Sequence, residues 1–215
     1  EQMMKEAYER QASLVVFPEL CLTGYTCGDL FLQDILLDQT LNALKDLLEA
    51  SKSTDLLTAI GMPLEVNGKL YNVAVFFKAG QILGVIPKTF IPNYSEFYEA
   101  RHFERGIKKP ICIELLGQDV WFGTQLLFKC SNMPGLVIGG EICEDLWAPN
   151  PPSIQHALSG ATVIVNLSAS DEVAGKSDYR KSLVAGQSAR LVCAYVYAGA
   201  GDGESTTDLV FPGHD

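Results

Sequence analysis

The chain has 215 residues, 47% of them hydrophobic and 20% charged, with 19 glycines and 10 prolines. It is too apolar for a disordered chain and too poor in Gly and Pro for collagen or a low-complexity linker. With 26 acidic residues against 16 basic ones the formal net charge is −10, and no basic cluster stands ready for phosphates, which excludes nucleic acid as an expected partner.

The first predicted element is a helix, because Met4, Ala7, Tyr8 and Gln11 recur at helical spacing. The chain opens inside this amphipathic pattern, with no capping residue and no basic-then-apolar leader, which reads as the middle of a helix. Ser13 to Phe17 is a short apolar run stopped by Pro18, read as a buried strand. Residues 34–50 place Leu37, Leu41, Leu44 and Leu48 on one helical face. Strands follow at 56–66, 70–78 and 82–86, separated by Asn67-Gly68 and Ala79-Gly80. Asn-Gly supplies the positive φ angles that a tight hairpin turn demands.

Residues 88–109 are irregular and rich in Tyr, Phe, Glu and Arg, the pattern of a functional loop. More strands are predicted at 111–115, 119–122, 125–129 and 136–142. Pro151-Pro152 opens a short helix ending at Gly160, and 162–167 is a buried strand. Residues 178–191 read as helix with Ser177 as its cap, and 192–198 as a last buried strand. No apolar run approaches the roughly 18 residues of a membrane span. Strands and helices interleave without repeat or linker. The prediction is one α/β domain built as a helix–sheet–sheet–helix sandwich of four layers.

The six cysteines, at 21, 27, 112, 130, 143 and 193, form no C-x-x-C pair, and His102, His156 and His214 share no ligand spacing with them. Neither a disulfide framework nor a zinc site is expected. Cys112, Cys130, Cys143 and Cys193 lie in or beside apolar runs, and most of the six are predicted to be reduced core residues of an intracellular chain.

Three positions place a reactive side chain just after a buried strand: Glu19 in Val16-Phe17-Pro18-Glu19-Leu20, Lys88 in Val85-Ile86-Pro87-Lys88, and Cys143 after Leu136–Ile142. Taken singly, they read as a solvated turn carboxylate, a surface lysine with its stem packed down, and a buried structural thiol. Gly139 and Gly140 permit close approach to the strand backbone. Cys143 stands at a strand-to-helix turn, where a helix N-terminus would favour its thiolate.

Taken together and in this order, Phe17-Pro18-Glu19-Leu20, Pro87-Lys88 and Ile142-Cys143-Glu144-Asp145 resemble the signatures of the nitrilase, or carbon–nitrogen hydrolase, superfamily. Within it, Asn93 to Glu99 with Arg101, Gly139 to Trp147, Asn166 to Ser170, and Gly203 to Asp208 are similar to the glutaminase domains of glutamine-dependent NAD synthetases. The resemblance implies a four-layer α-β-β-α sandwich. It implies Cys143 as the nucleophile toward the side-chain amide of L-glutamine, and Glu19 as general base, its pKa lifted by apolar neighbours and pulled down by Lys88. Lys88 would face the oxyanion with the backbone N–H of Glu144, and Glu99 would be a second carboxylate near the lysine. Tyr25, Tyr94 and Trp147 would line the pocket, Ser170 would supply a polar contact, and Lys176 would lie near the substrate carboxylate. A lysine there is a point charge rather than a bidentate fork.

The resemblance implies no cofactor or metal for glutamine hydrolysis. No Ser-Gly-Gly-x-Asp-Ser loop occurs in the sequence, so ATP, Mg and deamido-NAD would belong to a synthetase domain of the same polypeptide, supplied with ammonia through an internal tunnel. A cytoplasmic homo-oligomer is expected by analogy. Residues 1–215 would then be a partial domain truncated at both ends. It would want a strand before the first helix and a return strand pair beginning near Asp208 to Phe211. Two alternatives stay open: a free-standing amidase for another small amide, and a non-catalytic truncated fragment.

Overall fold

In the computed structural model, which describes residues 1–206 and 208–213, the strand-forming runs gather into two sheets. Thr207 of the Gly203 to Asp208 motif and His214 lie outside the described residues. The first sheet contains β1 (Leu14–Val16), β2 (Leu57–Val66), β3 (Lys69–Lys78), β4 (Gln81–Pro87), β5 (Ile111–Leu115) and β6 (Gln118–Phe122), in the order β1-β2-β3-β4-β6-β5. The second contains β7 (Leu127–Lys129), β8 (Val137–Ile142), β9 (Val163–Ser168) and β10 (Ala194–Gly199), in the order β10-β9-β8-β7. The helices are α1 (Gln2–Glu9), α2 (Asp34–Ser51), α3 (Glu144–Trp147), α4 (Pro152–Leu158) and α5 (Lys176–Leu191).

Strand alternation decides which layer each side chain joins. On β3, Val73, Val75 and Phe77 pack with Met4 of α1 and Leu44 and Leu48 of α2. Ala74 and Phe76, one residue out of phase, pack with Ile138, Ile142, Val165 and Leu167 of the second sheet. Each fully buried side chain of this kind contributes about 1.5–3 kcal/mol. On the far side of the second sheet, Ala157 of α4 and Leu191 of α5 pack against Ile164. The expected four-layer α-β-β-α sandwich is therefore present.

The hairpin turns follow their chemistry: Asn67 and Gly68 have φ of 52° and 72°, with Val66 opposite Lys69. Ala79 and Gly80 repeat the geometry at 50° and 79°, an alanine accepting a conformation that favours glycine. Gly61 of β2 serves a different need. A Cβ there would lie 2.3 Å from the Leu20 nitrogen and 2.6 Å from the Pro18 oxygen, so the turn carrying Glu19 rests directly on the strand.

Two expectations, the cap of α5 and the burial of the cysteines, need correction. Ser177 lies inside α5 rather than capping it; Gly175, at φ 84°, turns the chain into the helix, and no side chain caps it. Residues 25–32, not assigned from sequence, form a kinked stretch of 3-10 turns, Tyr25–Leu32. Of the four cysteines placed in apolar runs, Cys143 and Cys193 are buried, but Cys112 points outward from β5 and Cys130 is half-buried. Residues 208–213 form no strand; Leu209 and Phe211 instead bury themselves against Ala169 and Ala200. No helix among the described residues is long and apolar enough to cross a membrane.

Candidate active site

Both sheets deliver side chains to one place. Glu19 follows β1, Lys88 follows β4 and Cys143 follows β8, so three strand ends converge. Glu19 is 1% exposed and Lys88 is 0% exposed, which excludes the solvated readings of both. The Lys88 ammonium sits 2.6 Å from Glu19 Oε1 and 2.6 Å from Glu99 Oε1. A single cation is shared by two buried carboxylates.

Both carboxylates meet further donors, and Asn72 Nδ2 lies within reach of both, 3.4 Å from Glu99 Oε2. Asn72 Nδ2 donates to Glu19 Oε1 at 2.6 Å, and the Ala169 N–H donates to Glu19 Oε2 at 3.0 Å. The Tyr25 hydroxyl donates to Glu99 Oε1 at 2.8 Å. Burial pushes the Glu99 carboxyl up to about 7, with the Glu19 charge adding to the rise and Lys88 opposing it. Burial also works against the charge on Lys88, but the carboxylates on either side hold it well above its ordinary range.

Cys143 adopts φ 43°, ψ −99° at the turn from β8 into α3. A non-glycine residue at positive φ is strained, and the surroundings hold it there. Its N–H donates to Leu167 O at 3.0 Å and to Asn166 Oδ1 at 3.0 Å. Asn166 in turn donates to the Tyr195 hydroxyl at 3.0 Å, and Tyr195 bonds the buried Glu141. The thiol is pushed well above 9, first by burial and then by the Glu19 charge, while Lys88 and a hydrogen bond with Ser168 pull it down. This corrects the expectation of a thiolate favoured by a helix N-terminus: α3 has four residues, and burial outweighs so short a dipole. Burial thus favours the protonated thiol over the thiolate.

Asp145 ties the two sheets' contributions together. Its carboxylate accepts the N–H of Ile142 at 2.9 Å, of Thr89 at 3.0 Å and of Phe90 at 2.7 Å. The Cys143 turn and the loop leaving Lys88 are thus pinned to one side chain. Asn72, Asp145, Asn166 and the Ala169 N–H were not singled out individually from sequence. The sequence signal for Asn72 is an amide inside the apolar run Leu70 to Phe77; Asp145, 1% exposed in the fold, gives none.

The remaining predicted residues make separate contacts, and of them only Tyr25 lines the cavity beside Glu99. The Tyr94 hydroxyl donates to Glu144 Oε2 at 2.9 Å, though Tyr94 is itself exposed. Burial pushes the Glu144 carboxyl above its ordinary value. Trp147 lies against Tyr179, ring centroids 5.5 Å apart, and the Lys176 ammonium stands 5.5 Å from the Trp147 ring and 5.7 Å from the Phe97 ring. Lys176 is also paired with Asp171, so it does not stand as an isolated cation. Ser170 is buried, 3.5 Å from Nη2 of Arg180.

The decisive comparison is with protein families: the carbon–nitrogen hydrolase model matches residues 1–202. The chain belongs to the carbon–nitrogen hydrolase family. Among proteins similar to this hydrolase chain is the glutamine-dependent NAD(+) synthetase of Mycobacterium bovis, 47% identical over 213 residues, which cover 98% of this chain and 31% of that protein. The chain thus spans about a third of the length of the curated relatives it matches. The crystal structure of a glutamine-dependent NAD(+) synthetase from Cytophaga hutchinsonii superposes with a TM-score of 0.86 at 31% identity, covering 99% of this chain and 34% of that one. An amidase from Nesterenkonia sp., 17% identical with a TM-score of 0.72 over 98% of this chain and 70% of its own, shares the hydrolase fold.

Proposed function

We propose that this domain hydrolyses the side-chain amide of L-glutamine through a cysteine thioester. The observation that carries the reading is the convergence of Glu19, Lys88 and Cys143 in a buried cluster, within a chain 47% identical to a glutamine-dependent synthetase. Glu19 takes the thiol proton as the sulfur attacks the amide carbon. The oxyanion that forms is met by Lys88 and by the backbone N–H of Glu144 in the first turn of α3. Glu19 then returns the proton to the departing nitrogen, which leaves as ammonia, and the thioester remains. Water, deprotonated by Glu19, adds to the thioester; collapse releases glutamate and restores the thiol.

Glu99 is the second carboxylate on Lys88. Tyr25, Tyr94, Trp147, Ser170 and Lys176 border the substrate, with Glu144 bonded to Tyr94. In this reading the step uses no cofactor and no metal. The ammonia passes to a synthetase domain of a longer polypeptide, where ATP, Mg and deamido-NAD belong, and the assembly is a cytoplasmic homo-oligomer.

A glutamine-mimicking electrophile tests the reading. It is expected to label Cys143, located by peptide mass spectrometry, and Cys143→Ala is expected to abolish both labelling and ammonia release. Labelling of another cysteine, with the variant still reactive, would overturn the assignment.

A further inference from the structure

The Gly203 to Asp208 segment resembles the family yet has no part in the chemistry above. Its Glu204 reaches back across 179 residues to the turn that carries Tyr25, where Oε2 accepts the Tyr25 N–H at 2.8 Å. The main chain agrees with the side chain: the Thr26 hydroxyl lies 3.4 Å from Glu204 O. Gly24 completes the fit. It has φ 91°, a conformation that favours glycine, and a Cβ on it would stand 3.1 Å from Glu204 Oε1, so a larger residue would crowd the carboxylate.

Tyr25 is then held at both ends. Its N–H is fixed by Glu204 and its hydroxyl donates to Glu99 Oε1 at 2.8 Å. Packing alone does not fix it, because a cavity of about 200 Å³ lies beside it, lined also by Phe31, Glu99, Phe103 and Leu209. Phe211 meets the ring edge-on at 5.9 Å. The same segment buries Leu209 and Phe211 against Ala169, whose N–H donates to Glu19. Glu204, Leu209 and Phe211 therefore touch the supports of both carboxylates that share Lys88.

We propose that Glu204 is a positioning residue for the cysteine chemistry: it sets the Tyr25 backbone so that the Tyr25 hydroxyl holds Glu99 on Lys88. The inference deepens the glutaminase reading and rests on it for the substrate, but the geometry it invokes acts on Cys143 whatever amide is bound. A charge-assisted hydrogen bond to a backbone N–H is among the stronger anchors available. The groups facing Glu99 are Lys88, Glu19 and Tyr25, with the Cys143 thiol beyond them and Glu96, His102 and Asp208 around the adjoining cavity.

The test uses the intact polypeptide and iodoacetamide, with alkylation of Cys143 followed by peptide mass spectrometry across pH. The Tyr25 hydrogen bond lowers the Glu99 pKa, so loosening it moves the Glu99 inflection to higher pH. Glu204→Ala and Tyr25→Phe are expected to move the Cys143 profile alike, and the double variant no further. Glutamine turnover is expected to fall about tenfold in each. Glu204→Gln keeps an acceptor for the Tyr25 N–H and is expected to restore most of the wild-type profile.

A Cys143 profile in Glu204→Ala that superimposes on wild type overturns the proposal, even if the melting temperature has dropped. Additive effects of the two single variants overturn it as well. If the wild type leaves glutamine intact while its Cys143 profile still answers to Glu204, the glutaminase reading falls and the positioning role stands.

Discussion

Replacing Glu99 by glutamine removes one of the two carboxyls that share Lys88 while keeping shape and a hydrogen-bonding carbonyl. In the fold this carboxyl is pushed up to about 7 from an ordinary value of 4.5, first by burial and then by the neighbouring Glu19 charge. Below pH 4.5 both folded and unfolded chains hold the proton. Between 4.5 and 7 the unfolded chain releases it while the fold keeps it, so stability falls as pH rises. Above 7 both are ionised and the full penalty applies. At about 1.36 kcal/mol per pH unit, the span is worth roughly 3 kcal/mol. The measurement is urea unfolding of wild type and Glu99→Gln at pH 4.5, 5.5, 6.5 and 8. Wild type is expected to lose roughly 3 kcal/mol relative to the variant between the extremes, a difference in which other titrating groups largely cancel. Parallel stability curves for the two proteins would refute the reasoning, and a difference growing toward low pH would reverse its sign.

Asp145→Ala strips the acceptor from three backbone N–H groups at the Cys143 turn and the Lys88 loop. At about 1–3 kcal/mol for each orphaned donor, roughly 4 kcal/mol should be lost in urea unfolding, and Asp145→Asn, with one acceptor kept, should lose about half. Gly61→Ala drives a Cβ into the backbone of Pro18 and Leu20. It should cost about 3 kcal/mol and slow Cys143 labelling through displacement of Glu19; an unchanged melting temperature would contradict the close approach.

The positions of the reactive trio at strand ends were legible because each follows an apolar run, but singly they read as surface or structural residues, and their joint role came from the resemblance of the three motifs taken together. The hairpin at Asn67-Gly68 was legible for a similar reason: a local backbone demand had a local residue to meet it. What escaped depended on distant partners. Asn72 looks like a tolerated amide in a strand until the fold sets it beside Glu19. Asp145 looks like an ordinary first-turn acid until its oxygens meet Thr89 and Phe90, more than 50 residues upstream. Lys176 pairs with Asp171 at a spacing that matches no helical rule, because Gly175 turns the chain between them. The thiol's protonation was misjudged because the helix terminus is visible in sequence, whereas the depth of burial that outweighs it is not.

The convergence of strand ends has a consequence for how this domain loses activity. Glu19 and Lys88 belong to one sheet and Cys143 to the other, and the apolar seam between the sheets, around Phe76, Ile86, Ile142 and Leu167, sets the distance between them. Each sheet could keep its own ladder of hydrogen bonds while that seam loosens, as in an expanded acid state. The chemistry would then be extinguished at the first slippage of one layer over the other, well before far-ultraviolet circular dichroism registered any change. Turnover would thus act as a caliper across the interior of the sandwich, more sensitive to the spacing of the layers than any probe of the layers themselves.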